Sequence, residues 1–230
     1  MNVRTPKLIL GRWGMALLLV AALAVGLWYG ATRWRPSATD YPVQGVEASE
    51  AEGVIDWAKV RAGGAQFAYL AATHGADGRD TFFAEHWVAS QGAGLKRGAV
   101  HRFTLCQLAR DQATNFIAVV PREVDELSPA IDFDLDESCK ARPSRAIMLS
   151  EVATFIKMVE AHSEKPVILR VSRAFDTEYR LSRAVDRPLW LTSAYLTPSY
   201  GERAWVMWRA NPRRSVVGMK LATSWSVVRP

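Results

Sequence analysis

Residues 128–138 read SPAIDFDLDES, and the alternation inside that run decides how the rest of the chain is read. Side chains on a strand alternate faces, so a strand here puts Ile131, Phe133 and Leu135 on one side and Asp132, Asp134 and Asp136 on the other. Like-facing neighbours on one strand stand roughly 6.5–7 Å apart. At that distance their charges oppose joint ionisation and push one pKa up, which is how a site obtains an acid and a base from one residue type. The plainer alternative is a strand with a solvated acidic face that runs into a turn at Asp136-Glu137-Ser138.

Around this run the chain alternates strands and helices. Strands are expected over 43–47, 66–72, 97–103, 130–134 and 167–171. Helices follow them over 54–62, 81–93, 107–120, 144–162 and, in short form, 173–184. The first helix has apolar Ile55, Trp57, Ala58 and Ala62 and is stopped by Gly63-Gly64; the second buries Phe82, Phe83, Trp87 and Val88; Ser144 is placed to cap the fourth. Five strand–helix units in succession imply parallel strands joined by right-handed crossovers. After Pro188 the rhythm shortens, with strands over 189–193, 204–209 and 216–221 and too little chain between them for full helices. The count predicts an α/β fold, an irregular TIM-like (β/α) barrel of eight strands with about five full helices, occupying residues 43–230. Barrels of this kind carry their chemistry at the C-terminal strand ends, where Glu47, His74, His101, Asp132 and Asp134 fall.

Ahead of the barrel, residues 13–31 form a run of 19 residues without a charge, long enough to cross a hydrocarbon core of about 30 Å. Arg4, Lys7 and Arg12 precede it and Arg33 and Arg35 follow, a bias that puts residues 1–12 in the cytoplasm as a basic tail. The run exceeds a usual signal-peptide core, so a single-pass transmembrane signal anchor is preferred to a cleaved signal peptide ending near Ala24-Val25-Gly26. Residues 32–42, with Pro36 and Pro42, read as a linker. The barrel is thereby expected in the periplasm or outside the cell. The net charge of +6 comes mostly from residues 1–36, which leave 24 basic against 23 acidic residues in the remainder; no nucleic-acid footprint is expected there. Cys106 and Cys139 each follow a strand, so either they meet as a disulfide in an oxidising compartment or they remain two separate thiols.

Six segments, taken together, resemble the lysozymes of glycoside hydrolase family 25. They are Gly45-Val46-Glu47-Ala48-Ser49, the Ile55 to Val60 stretch IDWAKV, FAYLAATHG over 67–75, Phe83-Ala84-Glu85-His86-Trp87, GLKRGAVH over 94–101, and Asp132-Phe133-Asp134. Cys106 and the CKARPS run from Cys139 look like a Gram-negative branch of that family in which both cysteines recur. The resemblance covers residues 43–208 and implies an irregular barrel that hydrolyses the β-1,4 bond between N-acetylmuramic acid and N-acetylglucosamine in peptidoglycan, with no metal and no cofactor. The family pattern has Asp on the first strand, Glu in a turn after the second, Asp-x-Glu on the fourth and Asp near the last. Those places here correspond to Glu47, His74, Asp132 with Asp134, and Lys220. The family Tyr before His101 is Val100, and its Gln-Tyr pair is Arg209-Ala210 after Trp208. Asp134 stands one methylene short of the family's proton donor, a displacement of the size that costs about 10²-fold in rate. Lys220 puts a cation where the family has an anion, which holds nearby carboxylates ionised.

Two readings follow. In a muramidase, Asp134 protonates the glycosidic oxygen, Asp132 stabilises the developing positive centre with help from the substrate acetamido group, and Glu47 assists from across the mouth. In a binding module the same groove holds glycan without cleaving it: Trp190, Trp205 and Trp208 stack on sugars, and His74, His101 and Arg209 supply polar contacts. Arg170, Arg173, Arg209, Arg213 and Arg214 cluster toward the later strands, either to meet an anionic peptide stem or as a solvated rim. Other chemistries lack residues: His101 and Cys106 make no zinc set, no phosphate-binding glycine loop is present, and Ser172 and Ser193 have no nucleophile elbow.

Overall fold

The computed structural model describes residues 7–136 and 138–230, with side chains from residue 13 onward. The expected basic tail over 1–12 falls outside it except for backbone from residue 7, as does Glu137 of the acidic turn. Nine strands form one sheet: β1 (Gln44–Ala48), β2 (Phe67–His74), β3 (Gly78–Arg79), β4 (Lys96–Arg102), β5 (Ala130–Phe133), β6 (Ile168–Val171), β7 (Leu189–Thr192), β8 (Trp205–Arg214) and β9 (Thr223–Val228). Eight of them close on themselves in the order β1-β2-β4-β5-β6-β7-β8-β9, and β3 is a two-residue hairpin partner of β2. The pairings from β1 to β8 are parallel; β9 runs antiparallel to both neighbours, β8 and β1.

Among the described residues seven α-helices accompany the strands: α1 (Lys7–Arg33), α2 (Trp57–Ala62), α3 (Phe83–Gly92), α4 (Ala109–Val119), α5 (Arg145–Ser163), α6 (Arg173–Tyr179) and α7 (Leu181–Ala184). Asp56 caps α2 by accepting from Lys59 N, and Ser144 caps α5 by accepting from Ile147 N. The short helical stretch expected over 173–184 is divided at Arg180, whose left-handed φ of 49° breaks the α-path; Asp176 then accepts from Ser182 N and Oγ.

Strand parity sorts the core. Phe67, Tyr69, Val100, Ala130, Trp190 and Met207 point inward and fill the barrel. Leu70, Ile131, Phe133, Leu169 and Val171 point outward and pack under helix residues that include Phe116, Met148, Phe155 and Phe175. Gly98 is required on β4 because a Cβ there would lie 2.5 Å from the Tyr69 ring.

One expectation is corrected here. The last strand is not 216–221: Gly218, at φ 102°, turns the chain and its carbonyl accepts from Asp56 N, so this stretch is the β8–β9 turn and the strand is residues 223–228. Residues 32–42, expected as a linker, lie against the barrel. Trp34 and Tyr41 pack on Trp208 and Trp205, and Gln44 donates to the carbonyls of Pro36 and Tyr41. Cys106, after β4, and Cys139, after β5, are joined in a disulfide.

Candidate active site

The C-terminal strand ends open onto a mouth whose centre is an arginine. On β6, Ile168 and Arg170 share the inward face while Leu169 and Val171 face out, so Arg170 stands at the top of the barrel interior, 5% exposed. It lies over the buried Trp190 ring at 4.9 Å, a cation–π contact that floors the mouth. Arg170 Nε donates to Asp132 Oδ1 at 2.7 Å and its Nη2 sits 2.6 Å from Asp132 Oδ2, a two-point pairing across β5 and β6. Its Nη1 donates to Glu47 of β1. Arg209, inward on β8, grips the same Glu47, with Nε donating to Oε1 at 2.7 Å and Nη2 to Oε2.

The electrostatics follow from that geometry. Burial, the largest single influence, pushes the Asp132 carboxyl up, but Arg170 and Arg209 outweigh it and hold the group down to about 2. Glu47 behaves alike: burial raises it, and the charges of Arg170 and Arg209 bring it below the ordinary carboxylate value. Burial opposes the Arg170 charge, but its carboxylates raise its pKa. Glu47 and Asp132 are therefore ionised anchors for arginines at neutral pH, and neither holds a proton to give.

Two adjoining cavities form the mouth. One of about 260 Å³ is lined by Glu47, Glu52, Tyr69, Arg102, Arg170, Arg209 and Ser224. The other, about 370 Å³, is lined by Glu50, His74, Asp80, Arg102 and Arg170. Arg102 and Arg170 form the wall they share. Asp80, reached from the loop after β3, was not foreseen; half-burial pushes its carboxyl up despite bonds accepted from Glu50 N and Phe82 N. Arg102 was also missed as a mouth residue, and Arg170 was expected only as one of a cluster that meets a peptide stem or forms a solvated rim, not as the centre of the mouth. The parity of Ile168 and Arg170 was the available signal.

The remaining expected residues divide. His74 lines the mouth and is exposed. Asp134 lies just beyond β5, exposed, with Oδ1 accepting from Leu135 N at 2.9 Å, and it lines neither cavity. The three aspartates do not share a strand face, because β5 stops at Phe133 and Asp136 instead accepts from Ser138 N in a turn. His101 faces outward, fully buried between Thr73 Oγ1 at 2.8 Å and Gln112 Oε1 at 3.2 Å, and burial lowers its pKa to about 4. Trp190 is buried beneath Arg170, and Trp208 is buried outside the barrel with Nε1 donating to Ser193 O. None of these three presents a ring to the mouth. Lys220 is exposed in the β8–β9 turn.

Comparison with known proteins identifies the scaffold. The description of glycosyl hydrolases family 25 matches residues 46–219. The chain is 29% identical over 185 residues to the uncharacterized protein YegX of Escherichia coli O6:H1, an alignment covering 78% of this chain and 66% of that protein. A shorter match, 39% identical over 59 residues, covers 26% of this chain and 20% of lysozyme M1 of Streptomyces globisporus. Among solved structures, a family 25 glycosyl hydrolase from Bacillus anthracis superposes with a TM-score of 0.78 at 26% identity, covering 86% of this chain and 92% of that one. The bacterial lysozyme of Streptomyces coelicolor superposes at 0.75 with 22% identity, covering 81% and 91%. The arginine-centred mouth thus sits at the top of a lysozyme-type barrel, and the chain belongs to glycosyl hydrolase family 25.

Proposed function

We propose that this chain is a lysozyme-family protein anchored by α1 in the cytoplasmic membrane, with its barrel on the outer side, and that its mouth takes the glycan strands of peptidoglycan and holds them without efficient cleavage. The observation that carries this reading is Arg170. Acid-catalysed glycoside hydrolysis needs one protonated carboxyl and a second group on the opposite side of the bond, and Arg170 binds both buried carboxylates of the mouth in their charged form. The groove sets Arg102, Arg170, Arg209 and Ser224 beside Glu47 and Glu52, a mixed polar lining suited to the hydroxyls and the lactyl or peptide carboxylates of a muramyl glycan. The anchor is supported by the 19 uncharged residues, by the apolar helix over Trp13–Arg33 and by the basic bias at its N-terminal side.

Hydrolysis is the second reading, and the exposed Asp134 favours it. Among the described residues no arginine is bonded to it, yet it stands near enough to Arg170 to add to that residue's charged neighbours. The full chain in detergent, mixed with purified peptidoglycan from about pH 4 to about pH 8, decides between the two. Saturable co-sedimentation with no release of reducing ends is the expected result. Release of reducing ends that Asp134→Asn abolishes would replace holding by turnover.

A further inference from the structure

The exit of α1 is fastened to the barrel wall. Asn211 Nδ2 donates to the carbonyls of Ala31 at 2.8 Å and Trp34 at 2.9 Å, Ser215 N donates to Thr32 O at 2.7 Å, and Arg214 Nη1 donates to Arg33 O. Three guanidiniums gather at this joint. Arg214 lies over the Trp225 ring at 4.7 Å and Arg35 over the same ring at 5.6 Å, while Arg33 folds back over Tyr29 at 4.3 Å. Among the described residues no carboxylate forms an ion pair with any of the three. Arg214 Nε is buried without a hydrogen-bond partner. Burial first, then the charges of Arg35 and Arg33, lower the Arg214 pKa to about 10. A set of like charges with an unused buried donor lacks an anion.

The position of the joint says which anion. It lies at the end of an apolar helix whose residues 13–30 are exposed on every side, at the level where phospholipid phosphates stand when such a helix crosses a bilayer. We propose that Arg33, Arg35 and Arg214 form a binding site for the phosphate of an anionic phospholipid headgroup; this rests on the reading of α1 as a membrane helix. The lipid bridges the exit of α1 and the end of β8 and so fixes how the barrel stands on the membrane. Pro212, between Asn211 and Arg214, lines the mouth, and two residues of strand, about 7 Å, separate Arg209 from Asn211. The bound lipid therefore keeps the mouth beside the bilayer surface.

The test uses the full chain reconstituted in vesicles of phosphatidylglycerol and phosphatidylcholine in equal parts, with native mass spectrometry reading the lipids kept by each chain. Wild type is expected to retain phosphatidylglycerol over phosphatidylcholine by roughly tenfold. The triple variant Arg33→Gln, Arg35→Gln, Arg214→Gln falls to near parity, and Arg213→Gln keeps the preference. Arg33→Gln alone changes an exposed side chain and lowers the preference without the risk of misfolding. A chain that fails to float with vesicles overturns the membrane reading itself. One that floats but shows no headgroup preference, or a preference the triple variant retains, overturns the lipid site. Loss of the preference on adding inorganic phosphate at millimolar level identifies a free-anion site and overturns it as well.

Discussion

The chain builds two arginine knots on tryptophan faces, and they differ in what answers the charge. In the mouth Arg170 lies 4.9 Å over Trp190 and finds Glu47 and Asp132. At the helix exit Arg214 lies 4.7 Å over Trp225 and finds two further arginines. The aromatic face solves the same problem in both places, covering a partly desolvated guanidinium. Only the mouth carries its own counter-ions. A charge cluster closed by internal partners acts first as structure, and one without them is suited to a partner from outside.

The strongest way to break this contrast is to remove the mouth's central cation. Arg170→Met keeps an unbranched chain over Trp190 but strands Asp132, and leaves Glu47 to Arg209 alone. Breaking a buried ion pair from one side costs about 3–5 kcal/mol, so calorimetry is expected to show a large fall in Tm. A loss under about 1 kcal/mol would mean that the network is only a solvated decoration of the rim. The same variant removes the main charge that lowers Asp132, while Arg209 still holds Glu47 down, so burial then pushes the Asp132 carboxyl up and adds a protonatable group at the centre of the mouth.

Acid sharpens the comparison with a smaller effect. A depressed carboxyl contributes stability that is whole above its unfolded value and is lost as pH falls through its folded value. Asp132 runs from an ordinary 3.8 to about 2, which amounts to about 2 kcal/mol, and Glu47 acts in the same direction. Denaturation midpoints are expected to hold down to about pH 4 and drop toward pH 2. In Arg170→Met the contribution of Asp132 reverses sign, because a raised carboxyl favours the folded state as it takes up a proton. A wild-type midpoint that does not move across this interval would show that the carboxylates gain nothing from their arginines.

These features were unevenly legible in the sequence. The barrel could be read because strand and helix periods alternate cleanly through 171, and Glu47 and Asp132 fall at strand ends where the fold gathers side chains. The run DFDLD continues its alternation past the strand, but Asp134 and Asp136 turn their oxygens onto nearby backbone N–H groups and draw the chain out of the ladder. Trp190 sits between Leu189 and Leu191 on a strand buried on both faces, so no polar neighbour marked its side. Trp208 lies under the docked 34–41 segment, a contact whose partner is far away in sequence. The near balance of charge outside residues 1–36 could not reveal that Arg170 and Arg209 are matched while Arg214 is not. That distinction depends on which wall each arginine stands on.

The exit knot predicts the smallest effect, and its sign is what matters. Arg214→Met removes a hydrogen bond to Arg33 O and a stacking contact with Trp225, and it also removes a repulsion from Arg33 and Arg35. The opposed contributions leave a change within about 1 kcal/mol in detergent without anionic lipid. Salt separates them. Raising the ionic strength from about 0.01 M to about 0.15 M shortens the screening length from about 30 Å to about 8 Å, which relieves repulsion between exposed like charges and leaves the buried mouth pairs almost untouched. Wild-type Tm is therefore expected to rise slightly with salt, and Arg214→Met to respond less. An equal response in both proteins would mean that the three guanidiniums do not repel one another, and the case for an anionic lipid at the helix exit would fall.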